Sequence, residues 1–246
     1  MKNWLLPITS ILFIAALIWV VFFSGWRLIQ TVYLITRISP FERVIEGAPI
    51  ILVMGDSTAY GTGVRRNEES IAGLIAADWP DYSVLTRAGN GWNTHSLRQR
   101  LPQLLVVDER YMVVVLQIGA NDIIQGRSLA DSQADLVAIF SELKNHTEHI
   151  VWLHSGDIGG ATGFTSKRAQ ALSEKTEQFR DMAKALAEDH GVHYIDLWRE
   201  ASVDPFRQKP ERYLARDGLH LSAAGYAKWY EEIRKALVPL IDLPRE

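Results

Sequence analysis

The amino-acid sequence predicts an α/β fold, a five-stranded parallel sheet with helices on both faces. Residues 50–54, Ile-Ile-Leu-Val-Met, are apolar without alternation, as a strand covered on both faces requires. The Met-Val-Val-Val-Leu run at 112–116 has the same character. Stretches with helical apolar spacing lie between such runs, and strands alternating with helices form a parallel sheet through crossover connections.

A chain of 246 residues with 48% hydrophobic content is long enough for one large α/β domain and an appendage. Its formal charge of -3 carries no basic stripe, which sets nucleic acid aside as a partner. There is no cysteine, so disulfides, thiolate metal sites and a cysteine nucleophile are excluded.

The amino-terminal part, residues 1–48, reads as a membrane anchor and connector. Residues 4–23 carry no charge and are long enough to cross a hydrocarbon core of roughly 30 Å as a helix, with Trp4 and Trp26 near the two ends. Phe23 and Trp26 stand where a signal peptidase needs small residues, so the expectation is an uncleaved, single-pass anchor in the cell membrane. Lys2 on one side and Arg27 and Arg37 on the other set no orientation. Leu28, Ile29, Val32, Tyr33 and Ile35 continue a helical apolar pattern that suits the membrane surface or the face of the domain, and Ser39-Pro40 ends it.

The domain 49–246 then begins with the strand at 50–54, turned sharply by Gly55 so that Ser57 emerges at its carboxyl end. Residues 68–79 predict a helix closed by Pro80, and 82–87 a second strand. Thr94 is the expected N-cap of a helix through Leu105. A central strand at 111–118, a helix at 130–145, a fourth strand at 149–154, a long helix at 166–190 ended by Gly191, a fifth strand at 192–198 and a last helix at 222–237 complete the order.

Four polar clusters follow strands or precede the last helix: Gly55-Asp56-Ser57, Gly89-Asn90, Gly119-Ala120-Asn121-Asp122 and Asp217-Gly218-Leu219-His220. Parallel strands bring their carboxyl ends to one edge of the sheet, where ligands bind. The convergence supplies a nucleophile, a base, an orienting carboxylate and oxyanion donors, which is the set that acyl transfer needs.

With these blocks in this order, the chain from about residue 50 to 237 resembles the SGNH hydrolases, also called the GDSL esterase/lipase superfamily. The resemblance implies a flavodoxin-like three-layer α/β/α sandwich. It further implies Ser57 as nucleophile and His220 as base oriented by Asp217, with oxyanion donors from Ser57, Gly89 and Asn121. Thr58 replaces the Leu of the family name, and Leu221 stands where many members have Pro; neither position carries a proton or an oxyanion contact.

The residue chemistry agrees with these roles. Histidine titrates near neutral pH and can take the serine proton and return it to the leaving group. Asp217, three positions before His220, can hold the imidazole from the same loop. The alternatives are an Asp-Gly turn with a surface histidine, and Asn121 as a turn residue tolerating a left-handed backbone; Asp122 is expected to brace the loop. Tyr60, Trp92, Ser155 and Trp198 follow the same strand edge as candidate pocket residues, with plain packing as the alternative for the aromatics.

His146 and His149 do not form a zinc motif, and Gly61-Thr62-Gly63 lacks the companions of a nucleotide loop. No metal and no cofactor are expected. The expected activity is that of a membrane-anchored serine esterase of the lipase, lysophospholipase or arylesterase kind, with a small-molecule ester substrate. Acyl thioesters and O-acetylated sugars remain within the same chemistry, as does acyl transfer. A non-catalytic flavodoxin-like binding domain is the alternative from another class.

Overall fold

The computed structural model describes residues 25–26 and 29–241. The expected membrane span at 4–23 lies outside them; among the described residues no helix is long and apolar enough to cross a membrane. Five parallel strands, β1 (Ile50–Gly55), β2 (Ser83–Ala88), β3 (Val113–Gln117), β4 (Ile150–Leu153) and β5 (His193–Tyr194), form one sheet in the order β2-β1-β3-β4-β5. This is the flavodoxin-like order, whose switch point lies between β1 and β3.

The unbroken apolar runs are explained by the two faces of the sheet. Along β1, Ile51 and Val53 enter one cluster while Leu52 and Met54 enter the other, all fully buried. Side chains alternate across a strand, so a strand between two helix layers must be apolar at every position. One layer consists of α3 (Ile71–Asp78) and α10 (Ala223–Ile241), contributing Ile71, Ile75, Tyr226 and Ile233. The other consists of α4 (Thr94–Leu104), α6 (Leu129–Leu143) and α7 (Ser166–Asp189), contributing Leu97, Phe140 and Phe179.

Short helices occupy the carboxyl edge of the sheet: α2 (Ser57–Tyr60), α5 (Ala120–Gln125), α8 (Pro205–Gln208) and α9 (Pro210–Tyr213). These four escape sequence periodicity because each is about one or two turns long. An amino-terminal helix, α1 (residues 29–37), packs through Leu34 and is followed by an extended connector.

Three sequence expectations shift. Asn93, not Thr94, caps α4, its side chain accepting the Ser96 N–H at 2.9 Å. The helix expected at 68–79 divides into a 3-10 turn (Asn67–Glu69) and α3, because Ser70 caps the latter through the Gly73 N–H. The fifth strand covers two residues instead of 192–198: Asp196 accepts the Trp198 N–H at 3.1 Å and the Arg180 guanidinium, which turns the chain out of the sheet. The connector ahead of residue 49 packs on this unit. Arg43 bridges Val84 on the outer edge of β2, and its guanidinium donates to the carbonyls of Ala76, Trp79 and Tyr82.

Candidate active site

Ser57 owes its position to Gly55 and Asp56. Gly55 has φ +144°, and a Cβ there would stand 1.8 Å from the Gln117 carbonyl oxygen, so β1 and β3 can approach this closely only at glycine. Asp56 caps α2 by accepting the Thr58 N–H at 2.8 Å, which makes the half-buried Ser57 the first residue of that helix. The other Asp56 oxygen is buried and has no hydrogen-bond partner among the described residues. Burial pushes this carboxyl up to about 7, against the opposing hydrogen bonds from Thr58.

His220 and Asp217 share the loop before α10. The imidazole Nδ1 and Asp217 Oδ2 lie 2.6 Å apart, while Asp217 Oδ1 accepts the N–H groups of Leu219 at 3.0 Å and His220 at 3.1 Å. Burial alone would raise the Asp217 carboxyl; the His220 imidazole and the two loop N–H groups outweigh it and hold the carboxyl below its ordinary range. Asp217 therefore stays ionised beside the ring, leaving Nε2 for proton transfer.

The glycine pair that resembles a phosphate loop has a packing role here. Gly63 has φ +112°, and a Cβ on it would be 2.1 Å from the Leu221 carbonyl oxygen and 3.2 Å from His220 Cβ. The loop after α2 is thus pressed onto the histidine loop, and the buried Tyr226 hydroxyl fastens it by donating to the Thr62 carbonyl at 2.9 Å. Ser57 and His220 consequently line one cavity of about 250 Å³, together with Asn121.

Asn121 is the second residue of α5, and its Nδ2 donates to the Trp92 carbonyl at 2.9 Å. An amide nitrogen has two hydrogens, so the same contact that fixes the side chain leaves a donor for the cavity. Asp122 braces the region as expected, accepting from Thr94 Oγ1 at 2.6 Å, Ser132 Oγ at 2.9 Å and Arg127 Nε at 3.0 Å. The Ser57 N–H, at the start of α2, has no acceptor among the described residues.

Gly89 is corrected. Its N–H donates to the Gly55 carbonyl at 3.1 Å, extending the pairing of β2 with β1, and Trp92 covers the position where a side chain would be. Gly91 lines the cavity instead, with an N–H that meets no acceptor among the described residues, and Asn90 beside it accepts from Thr62 Oγ1 at 2.5 Å. The loop is strapped to α5 by Gln125 Nε2, which donates to the Gly91 carbonyl at 3.2 Å.

Among the candidate pocket residues only Ser155 lines the cavity, its Oγ 2.9 Å from the buried His154 Nδ1. Trp92 lies over Gly89 and under the Arg100 guanidinium at 5.0 Å, and Trp198 packs against Arg180 at 4.7 Å. Tyr60 ends α2 outside the cavity lining. In their place stand Ile124, Ile158, Phe206, Leu219 and Trp229, with Thr31 and Ile35 from α1. The helical spacing of α1 pointed to a packed face without saying what it packs on; the others come from elements too short or too distant in sequence to read. Among the described residues, no group of three or more histidine, aspartate or glutamate side chains is placed to hold a metal ion.

The profile of the GDSL-like Lipase/Acylhydrolase family matches residues 53–228. Among curated proteins no sequence relative matches. Of solved structures, a lipolytic protein of the G-D-S-L family from Veillonella parvula superposes with a TM-score of 0.64 at 17% identity, covering 78% of this chain and 99% of that one. The lipase/acylhydrolase from Enterococcus faecalis gives 0.61 at 19% identity, with 80% and 99% covered. The acetylxylan esterase Axe2 from Geobacillus stearothermophilus gives 0.58 at 19% identity, with 85% and 98% covered.

Proposed function

The chain belongs to the GDSL-like lipase/acylhydrolase family and is an ester-bond hydrolase, and from that premise we propose a membrane-anchored serine esterase acting through an acyl-Ser57 intermediate. The observation that carries the proposal is the 2.6 Å contact of His220 Nδ1 with Asp217 Oδ2 on the cavity that also holds Ser57 and Asn121. In this reading His220 Nε2 takes the Ser57 proton as Oγ attacks the ester carbonyl. The charge that develops on the carbonyl oxygen meets the Ser57 N–H, the Asn121 amide and the Gly91 N–H. His220 then protonates the departing alcohol or thiol, and water repeats the cycle on the acyl-serine.

The apolar wall of Ile35, Ile124, Ile158, Phe206, Leu219 and Trp229 favours a substrate with an acyl chain, as in lipase and lysophospholipase substrates or alkyl and aryl esters. A second reading, removal of O-acetyl groups from a carbohydrate, is favoured by the acetylxylan esterases among the similar structures. A panel running from acetylated xylooligosaccharide through nitrophenyl acetate to nitrophenyl decanoate separates the two. Ser57→Ala should abolish both hydrolysis and fluorophosphonate labelling; labelling that persists in this variant would end the acyl-serine proposal.

Anchoring rests on the uncharged residues 4–23 and on the exposed Trp26, Ile29, Val32 and Tyr33 that follow them. Full-length protein should remain with membranes through alkaline carbonate extraction. Release into the soluble fraction would refute the anchor.

A further inference from the structure

Helix α1 lies outside the family match at 53–228, yet it reaches the catalytic pocket. Positions 31, 34, 35 and 38 share one face at helical spacing. On that face Leu34 is buried, Ile38 packs against the core layer of α3 and α10, and Thr31 and Ile35 line the cavity. Thr31 Oγ1 donates to Asp217 Oδ2 at 3.3 Å, the same oxygen that faces His220 Nδ1. A carboxylate oxygen has two lone pairs and accommodates both contacts.

We infer that α1 is a specificity-determining wall of the active site, in which Ile35 limits the acyl chain and Thr31 positions Asp217. This inference rests on the esterase reading above. Ile35 joins Ile124, Ile158, Phe206, Leu219 and Trp229 in the apolar lining, so its volume subtracts directly from the space open to a chain. Thr31 adds a donor to Oδ2 from outside the histidine loop, whereas the loop N–H groups hold only Oδ1. The carboxylate is thereby fixed from two sides, one of them belonging to α1.

The full-length chain tests both parts with the nitrophenyl esters of acetate, hexanoate and decanoate. Ile35→Trp should lower kcat/KM for decanoate about tenfold or more relative to acetate, chiefly through KM, and Ile35→Ala should shift the preference the other way. Thr31→Val should lower kcat several-fold on all three esters at nearly constant KM, with Thr31→Ser restoring it. A third measurement does not depend on turnover. Because the chain has no cysteine, Ile35→Cys in a Ser57→Ala background supplies a single thiol, whose alkylation by a maleimide should be slowed by nitrophenyl decanoate and not by the acetate. Chain-length profiles unchanged by the Ile35 variants, together with alkylation indifferent to decanoate, would overturn the wall. A Thr31→Val enzyme with full kcat would overturn the positioning role. Protection by decanoate in the Ser57→Ala background, together with a parent chain that keeps Ser57 and still turns over no ester, would uphold the wall and refute the esterase reading instead.

Discussion

Asp217 grips His220 twice, through the ring Nδ1 at 2.6 Å on one carboxylate oxygen and through the backbone N–H at 3.1 Å on the other. The carboxylate therefore sets both the imidazole orientation and the shape of the loop that carries it. His220→Ala removes the base and should lower kcat about 10⁴-fold or more, whereas Asp217→Asn should cost roughly 10²- to 10⁴-fold. Combining the two should add little, since they act as one unit. Steady-state kinetics on a nitrophenyl ester measures this; losses that multiply would show that the residues act independently.

Asn121 is tethered by its contact with the Trp92 carbonyl, so its remaining N–H is held in place before substrate arrives. Removing one preorganised oxyanion donor lowers kcat about 100- to 1,000-fold. Asn121→Ala should do so with KM nearly unchanged. A raised KM at constant kcat would make Asn121 a substrate-binding residue.

The buried Asp56 gives stability a pH dependence of defined sign. Its folded carboxyl is raised to about 7, above the roughly 3.9 of a free aspartate. The native state thus keeps a proton that the unfolded chain has released over this interval. The contribution is complete below about pH 4 and is lost as pH rises through 7. Urea unfolding of the parent chain and of Asp56→Asn should show the parent losing ground between pH 5 and 8. A difference that stays flat over this range would mean that Asp56 is ionised in the fold.

Gly63 couples stability to catalysis. With φ +112° and the Leu221 carbonyl oxygen 2.1 Å from a Cβ, Gly63→Ala cannot be accommodated without moving the histidine loop. It should destabilise the protein by about 1–3 kcal/mol and also reduce kcat. Thermal unfolding and kinetics on the same preparation test this; a variant as active and stable as the parent would show that the two loops separate freely.

What the sequence determined by itself is whatever depends on neighbours along the chain. Apolar runs at 50–54 and 112–116 mark strands buried on both faces, and the long periodic segment at 166–190 marks α7, because burial and periodicity are local properties of a helix or strand. That Ser57, Asn121, Asp217 and His220 come together was legible for a related reason: parallel strands deliver their following loops to one edge whatever the details of packing. Only the tertiary structure decided which groups in those loops are free to act. The Gly89 N–H is taken by Gly55 because of the register between β1 and β2, and that register leaves Gly91 facing the cavity. It likewise decided that Trp92 and Trp198 pack against arginines, and that Thr31 and Ile35 line the cavity of Ser57 and His220, Thr31 touching Asp217 from 186 positions away. Such contacts join residues far apart in sequence, and no local pattern encodes which distant surface an apolar face will cover.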